Sequence, residues 1–354
     1  MATLVATLKQ FVRTKYKGRI DRNELRPSEY GALNLFRKQS ASAMGILTPE
    51  IREAIANSFG NTIQVPVLDF ENITISNVRT CDIQTGGADS KLMTLVFFTM
   101  AFGFPMVPSR HRNNDLGMQE YFARNLEARR LKALEFLDGK CVDFLNLNKN
   151  QYFPAGMTAY YPVSGGALQV SKEASEEFFN YVPSILATQD FGGQPDILTN
   201  PMGMAYVRAL KAQGTNNAVN LAYQVDNIGD FFQSNRVLNG AGVKSTEYLV
   251  GEGAVAIDSR IDPDCQDGHQ IGAGDTPSNL WTTQDLPGLG LMGLYYQAKC
   301  SDESVRLAAE RWDGLTRAFV ESFEWSADYV LLKSYNSDGS ARYTPITKAE
   351  LLLV

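Results

Sequence analysis

The residues best equipped for chemistry lie between 258 and 275. There Asp258, Asp262, Asp264, Asp267 and Asp275 surround Cys265 and His269. Carboxylates beside a histidine can hold a divalent metal and activate water, so a metal-assisted hydrolase using Asp258, Asp262, Asp264 and His269 is one reading. The spacing favours a plainer one. A structural zinc site takes four ligands, and Cys265 and His269 supply two. An EF-hand loop counted from Asp262 puts Asp267 where glycine is required and Ala273 where a bidentate glutamate is required. The segment reads as a solvated acidic loop, and no metal, cofactor or catalytic residue is assigned.

The other histidine, His111, is more than 150 residues from His269, and the sequence has no GxSxG elbow, HExxH pair or GxxxxGK[ST] loop. Gly288, Gly290 and Gly293 spell GxGxxG, with Asp313 twenty residues further on. A dinucleotide fingerprint needs a strand before the glycines and a helix starting at them. Here Pro287 precedes and LYYQAKC follows, which favours a strand and makes the glycines a glycine-rich strand entry. Cys81, Cys141, Cys265 and Cys300 show no CxxC spacing, which fits a reducing compartment without a redox pair.

The elements around these residues have clear periods. Thr48, Pro49 and Gly60 bracket a helix with Ile51, Ile55 and Phe59 on one stripe. From 62 the period becomes two, and Pro66 marks an edge strand or a projecting ribbon. Lys91 to Val107 reads as a long returning strand after the turn TGGADS. This excursion is more apolar than a free loop, which suits packing on a neighbouring subunit. From about Leu116 to Leu145 the spacing of Phe122, Leu126, Ala133, Leu137 and Cys141 predicts a helix roughly 45 Å long, with Arg124, Glu127, Arg129, Arg130 and Glu135 on its polar side. Further helices are predicted at 171–181, ended by Pro183, at 202–213 after Asn200 and Pro201 and before Gly214, and at about 301–313. Asp338-Gly339 predicts a hairpin between strands 329–335 and 341–347.

Charge is distributed unevenly. The net charge is −6, but residues 1–47 carry nine Lys/Arg and three acids, a net +6, leaving −12 for the remainder. Without a sustained period, this segment reads as an extended basic arm docked on the acidic surface of another copy of the chain. Its aromatics are too sparse for a nucleic-acid stacking platform. Lys9, Arg13, Lys15, Lys17, Arg19, Arg22 and Arg26 on the arm, with Val65, Val67 and Phe70 on the excursion, are the candidate intersubunit contacts. Removing residues 1–47 should leave a folded chain that assembles poorly, and high salt should weaken assembly. The composition, 44% hydrophobic and 20% charged, is that of an ordered protein. Leu92 to Val107 is too short and too interrupted to span a membrane, and the N-terminal stretch lacks the form of a secretory signal.

Four stretches carry a resemblance: VPVLDFENITISNVRTC (65–81), SKLMTLVFFTMAFGFPMVP (90–108), NNDLGMQEYFARNLEARRLKALEFLD (113–138) and YTPITKAEL (343–351). In these and in the order of elements, residues 48–354 resemble the major capsid proteins of tailed bacteriophages, particularly the crAss-like branch of Bacteroidetes phages, whose fold encapsulins share. The resemblance implies an α+β fold with an N-terminal arm (1–47), an N-terminal helix (48–61), an extended β-loop (62–110), a peripheral domain with a long spine helix (111–172 and 300–354) and an axial domain (173–299). It also implies a non-enzymatic subunit assembling into hexamers and pentamers that enclose a double-stranded DNA genome without sequence-specific binding. The partners would be further copies, a portal and auxiliary or cement proteins, with no membrane. The location would be the virion capsid, and the host cytoplasm during assembly. An encapsulin-like compartment shell is the alternative within the same class.

Overall fold

The computed structural model describes residues 30–42, 46–69, 89–108, 115–189, 191–215, 228–272, 278–301, 318–334 and 343–353. Helix α1 spans Gly31–Ala41, inside the segment expected to be an arm. Ala32, Leu33, Leu35 and Phe36 are completely or almost completely buried, so this part of the basic segment belongs to the body. Eleven residues with Arg37-Lys38 among them are too few to display a period, yet enough to plug a core. Helix α2 (Pro49–Ala56) starts as expected, with the Thr48 hydroxyl accepting from Ile51 N at 3.4 Å. It stops at Ala56, which leaves Ile55 buried and Phe59 beyond the helix, 87% exposed.

Strands β1 (Thr62–Asp69) and β2 (Asp89–Met106) follow, then helix α3 (Asp115–Leu147), about 50 Å long at 1.5 Å per residue. The predicted stripe from Phe122 to Cys141 is buried. Arg130, expected on the polar side, is completely buried as well. The turn after Leu286 folds over it, and its Nη1 donates to Pro287 O at 2.9 Å.

The next elements are α4 (Ala155–Thr158), β3 (Val163–Ser164), β4 (Ala167–Val170) and α5 (Phe178–Ala187). The helix predicted at 171–181 forms later in the chain, and Pro183 lies inside it. Burial of Phe178, Phe179, Val182, Ile185 and Leu186, each contributing roughly 1.5–3 kcal/mol, outweighs a proline cost of about 3 kcal/mol. After β5 (Asp196–Thr199), helix α6 (Pro201–Thr215) begins where predicted, with Asn200 Oδ1 accepting from Gly203 N at 2.8 Å, but it runs through Gly214.

The chain continues through β6 (Phe231–Gln233), β7 (Val243–Val250), β8 (Val255–Arg260), α7 (Pro263–Asp267), β9 (Gln270–Ile271), β10 (Asn279–Leu286), β11 (Gly290–Ser301), β12 (Ala318–Lys333) and β13 (Ile346–Leu352). Ser301, expected to open a helix, closes β11. The rest of that predicted helix lies outside the described residues, as do Asp338-Gly339 and TGGADS.

The architecture is α+β, with two sheets. The first runs β1-β2-β12-β11-β10-β9, with β8 also on β12, and every pairing is antiparallel. The second runs β3-β4-β13-β7-β5-β6 and mixes antiparallel pairs with two parallel ones, β13 on β4 and β5 on β6. The hairpin predicted from β12 to β13 does not form, because those strands belong to different sheets. A boundary at 173 and 299 cuts across both layers: β8 to β11 share a sheet with β2 and β12, whereas β13 sits beside β7.

Helix α3 packs its stripe on the first sheet. Phe104 and Trp325 stack with centroids 5.8 Å apart, Phe122 meets Phe323 edge-on at 5.0 Å, and buried Trp325 Nε1 donates to Gln284 Oε1 at 3.0 Å. A second core, with Leu168, Phe178, Phe179, Ile197, Leu249 and Leu351, lies between the second sheet and helices α5 and α6.

Helix α1 joins the two sheets. Its Gln39 Nε2 donates to Asp196 Oδ2 of β5 at 2.7 Å, and Ile257 N of β8 donates to its Ser40 Oγ at 2.8 Å. Lys38 Nζ lies 2.6 Å from Asp196 Oδ1 and 2.7 Å from Asp230 Oδ2. Burial works against the Lys38 charge, but these hydrogen bonds carry its pKa above the ordinary lysine value. At the start of α1, a Cβ on Gly31 would overlap the carbonyl oxygen of Gln233. Gly31→Ala must therefore push the two backbones apart. A loss of about 3 kcal/mol in denaturant unfolding is expected, and an unchanged midpoint would show that the junction has slack.

Candidate functional site

The acidic segment does not assemble a centre. Asp258 lies on β8 in register with Val330, and Asp262 caps α7 by accepting from Asp264 N at 3.0 Å. Asp264 and His269 approach to 3.8 Å with both side chains more than half exposed. Asp267 ends α7, and Asp275 lies outside the described residues. Cys265 is buried against Gly293, and burial pushes its thiol up to about 11, away from the reactive thiolate. Among the described residues, no group of three or more His, Cys, Asp or Glu side chains could hold a metal ion. Of the GxGxxG glycines, Gly288 and Gly290 make the turn from β10 into β11, at φ of 78° and 83°, and Gly293 lies within β11, in register with Thr283 and Ser326. The string is thus the glycine-rich strand entry read from the sequence.

The ribbon of β1 and β2 has a different kind of asymmetry. Residues 62–69 pair with 89–96, and residues 97–106 of β2 pair instead with β12, so the first half of β2 extends past the sheet's centre with β1 as its companion. Alternation sorts the side chains onto two faces. On one face Val65, Leu95 and Phe97 are buried with Ile55, Ala256, Val330 and Leu332 in a small core of their own. On the other, Leu92 and Val96 are 62% and 63% exposed, and Phe59 stands just before β1. Val96 is in register with Thr62 and Leu92 with Pro66, and β1 ends the sheet order. Among the described residues, one edge and one face of the ribbon are therefore left for further burial.

The candidate contacts divide accordingly. Val65 packs inside its own chain, so it is not available to another copy. Val67 sits in β1 in register with Lys91. Phe70 and the arm residues Lys9, Arg13, Lys15, Lys17, Arg19, Arg22 and Arg26 lie outside the described residues. The exposed face is carried by Leu92 and Val96, which sequence reading left unnamed. The signal was present: an alternating strand with apolar residues at both parities has one more apolar face than its own core needs.

A second apolar feature lies on the other sheet's helices. Met157, Tyr161 and Ile185 line the floor of a cavity of about 510 Å³, with Tyr160, Tyr181 and Glu177 at its rim. Tyr160 is 84% exposed.

No protein-family model and no curated protein matches the chain. Solved structures similar to it include a chain of Mycobacterium phage Adephagia, at 14% identity over 85% of this chain and 89% of that one, with a TM-score of 0.44. A chain of the capsid of Cyanophage P-SCSP1u is similar at 8% identity over 88% and 89%, with a TM-score of 0.43. A chain of the capsid of Ralstonia phage GP4 is similar at 9% identity over 84% and 85%, with a TM-score of 0.42.

Proposed function

We propose that this chain is a structural subunit of a closed protein shell, the capsid of a tailed bacteriophage, and that it performs no catalysis. The observation that carries this reading is the ribbon, sealed on its own body by Val65, Leu95 and Phe97 while Leu92 and Val96 are exposed beside a strand edge that no described strand pairs. A lone monomer gains nothing from such a face, whereas a neighbour placed by a repeated rotation can cover it in every copy. The sequence resemblance at 65–81, 90–108, 113–138 and 343–351 supports the same reading.

In this shell the first sheet with α3 forms the peripheral part, and the second sheet with α5 and α6 forms the axial part. Copies gather as hexamers and pentamers around the genome. Residues 1–29, with seven Lys/Arg against three acids, are the segment left to reach an adjoining copy. Overlap of about 1,000 Å² between neighbours would contribute on the order of 25 kcal/mol before ordering and association costs, and a shell multiplies that surplus many times.

The test is to place charge on the bare face. Leu92→Lys with Val96→Lys should leave the monomer's unfolding within about 0.5 kcal/mol of the parent, because neither side chain is in a core. Sedimentation and negative-stain images should show that particles are lost. Normal shells from the double variant would remove the ribbon from the assembly mechanism.

A further inference from the structure

Glu247 lies on β7, in register with Thr199 of β5 and Ala349 of β13, and is completely buried. Helix α6 covers it. Gly203, Val207 and Leu210 form the helix's buried stripe, and a Cβ on Gly203 would overlap both Thr199 Oγ1 and Glu247 Oε1. Only glycine lets the helix backbone come this close. Among the described residues no well-formed hydrogen bond reaches either carboxylate oxygen of Glu247 or Ser245 Oγ. The Thr199 and Ser245 hydroxyls are its nearest polar neighbours, and Thr199 Oγ1 donates to Asn200 O at 3.4 Å.

Among the described side chains, the charged groups of the packed elements are turned elsewhere. On β5, Asp196 is held by Lys38. On β13, Lys348 and Glu350 pair with each other at 2.6 Å on either side of Ala349. On β7, Lys244 lies 3.5 Å from the Tyr206 ring centroid, and Arg208 of α6 is exposed.

We propose that Glu247 acts as a proton-held latch: as the neutral acid it lets α6 seat on the second sheet, and loss of its proton loosens that contact. A buried anion facing a helix backbone with no counter-charge is the costly state. Burial is the leading cause of a carboxyl pKa pushed up to about 8, tempered by the nearby Thr199 and Ser245 hydroxyls. The sign follows from linkage. With the folded value near 8 and the ordinary value near 4.5, the stabilisation is complete below about pH 4.5 and is lost as pH rises towards 8.

Hydrogen exchange of residues 201–215 and 243–250 between pH 5 and pH 9, corrected for the intrinsic exchange rate, tests this. In the parent, the opening equilibrium should rise by up to about tenfold per pH unit and level off above about pH 8. Glu247→Gln keeps the shape without the proton, and its profile should be flat. Equal profiles in parent and variant would overturn the latch. If Glu247→Gln does not fold, infrared spectra of parent protein labelled at glutamate decide. A protonated-carboxyl band that fades as protection is lost supports the latch, and its absence at pH 7 overturns it.

Discussion

Deleting residues 1–47 is expected to yield no folded protein, whereas deleting residues 1–29 leaves the body intact. The longer deletion removes α1, whose Leu33, Leu35 and Phe36 are buried in the main core. At roughly 1.5–3 kcal/mol for each such side chain, the loss is about 5–9 kcal/mol. A domain's whole stability is only about 5–15 kcal/mol. The deletion also takes away Lys38, Gln39 and Ser40, and with them the bonds that tie β5 to β8. Circular dichroism and sedimentation of both truncations check this. A cooperatively folded Δ1–47 chain would mean that α1 fills a site the body does not need. This replaces the expectation, drawn from charge and the lack of a sustained period, that a chain without residues 1–47 still folds and only assembles poorly.

Asp138→Ala is expected to lose about 3–5 kcal/mol, the usual cost of breaking a buried, hydrogen-bonded charge cluster from one side. Asp138 lies on α3 and is completely buried. Its Oδ1 accepts from Leu33 N at 3.0 Å, its Oδ2 accepts from Ser234 Oγ at 2.5 Å, and Arg236 Nη1 lies 3.5 Å from Oδ2. It thus caps α1 from another helix, a task that Tyr30, at the helix's own N-cap position, does not perform with its side chain. Burial holds this carboxyl above the usual range, opposed by Ser234, Leu33 and Arg236, so it is paired at a cost. Alanine leaves the Leu33 amide and the Ser234 hydroxyl facing an empty site. Asparagine keeps one acceptor and should recover part of the loss. Denaturant unfolding of the two variants measures the difference, and a loss below about 1 kcal/mol for alanine would mean apolar contacts alone seat α1.

Asp138 was legible in principle. It falls between Leu134 and Cys141 on the apolar stripe of α3, where an acid has no reason to be unless something across the core needs it. Glu247 is similar, the one acid in the strand run VKSTEYLV. In both cases the sequence marks a position as odd without naming its partner, because the partners are 105 residues away for Leu33 and in a different element for Gly203.

Local physics settled a good part of this chain from sequence alone. Hydrophobic period fixed α3 and the change from helix to ribbon at 62. Side-chain caps fixed the starts of α2 and α6, and the residues flanking Gly288 ruled out a nucleotide loop. Each of these depends on neighbours within a few positions. The tertiary structure alone decided that 31–41 is a core helix, that Arg130 is buried, that Pro183 sits within a helix, and that β12 and β13 part into different sheets. Those outcomes turn on burial against segments distant in sequence, where a few kcal/mol from apolar contact override propensity and turn signals.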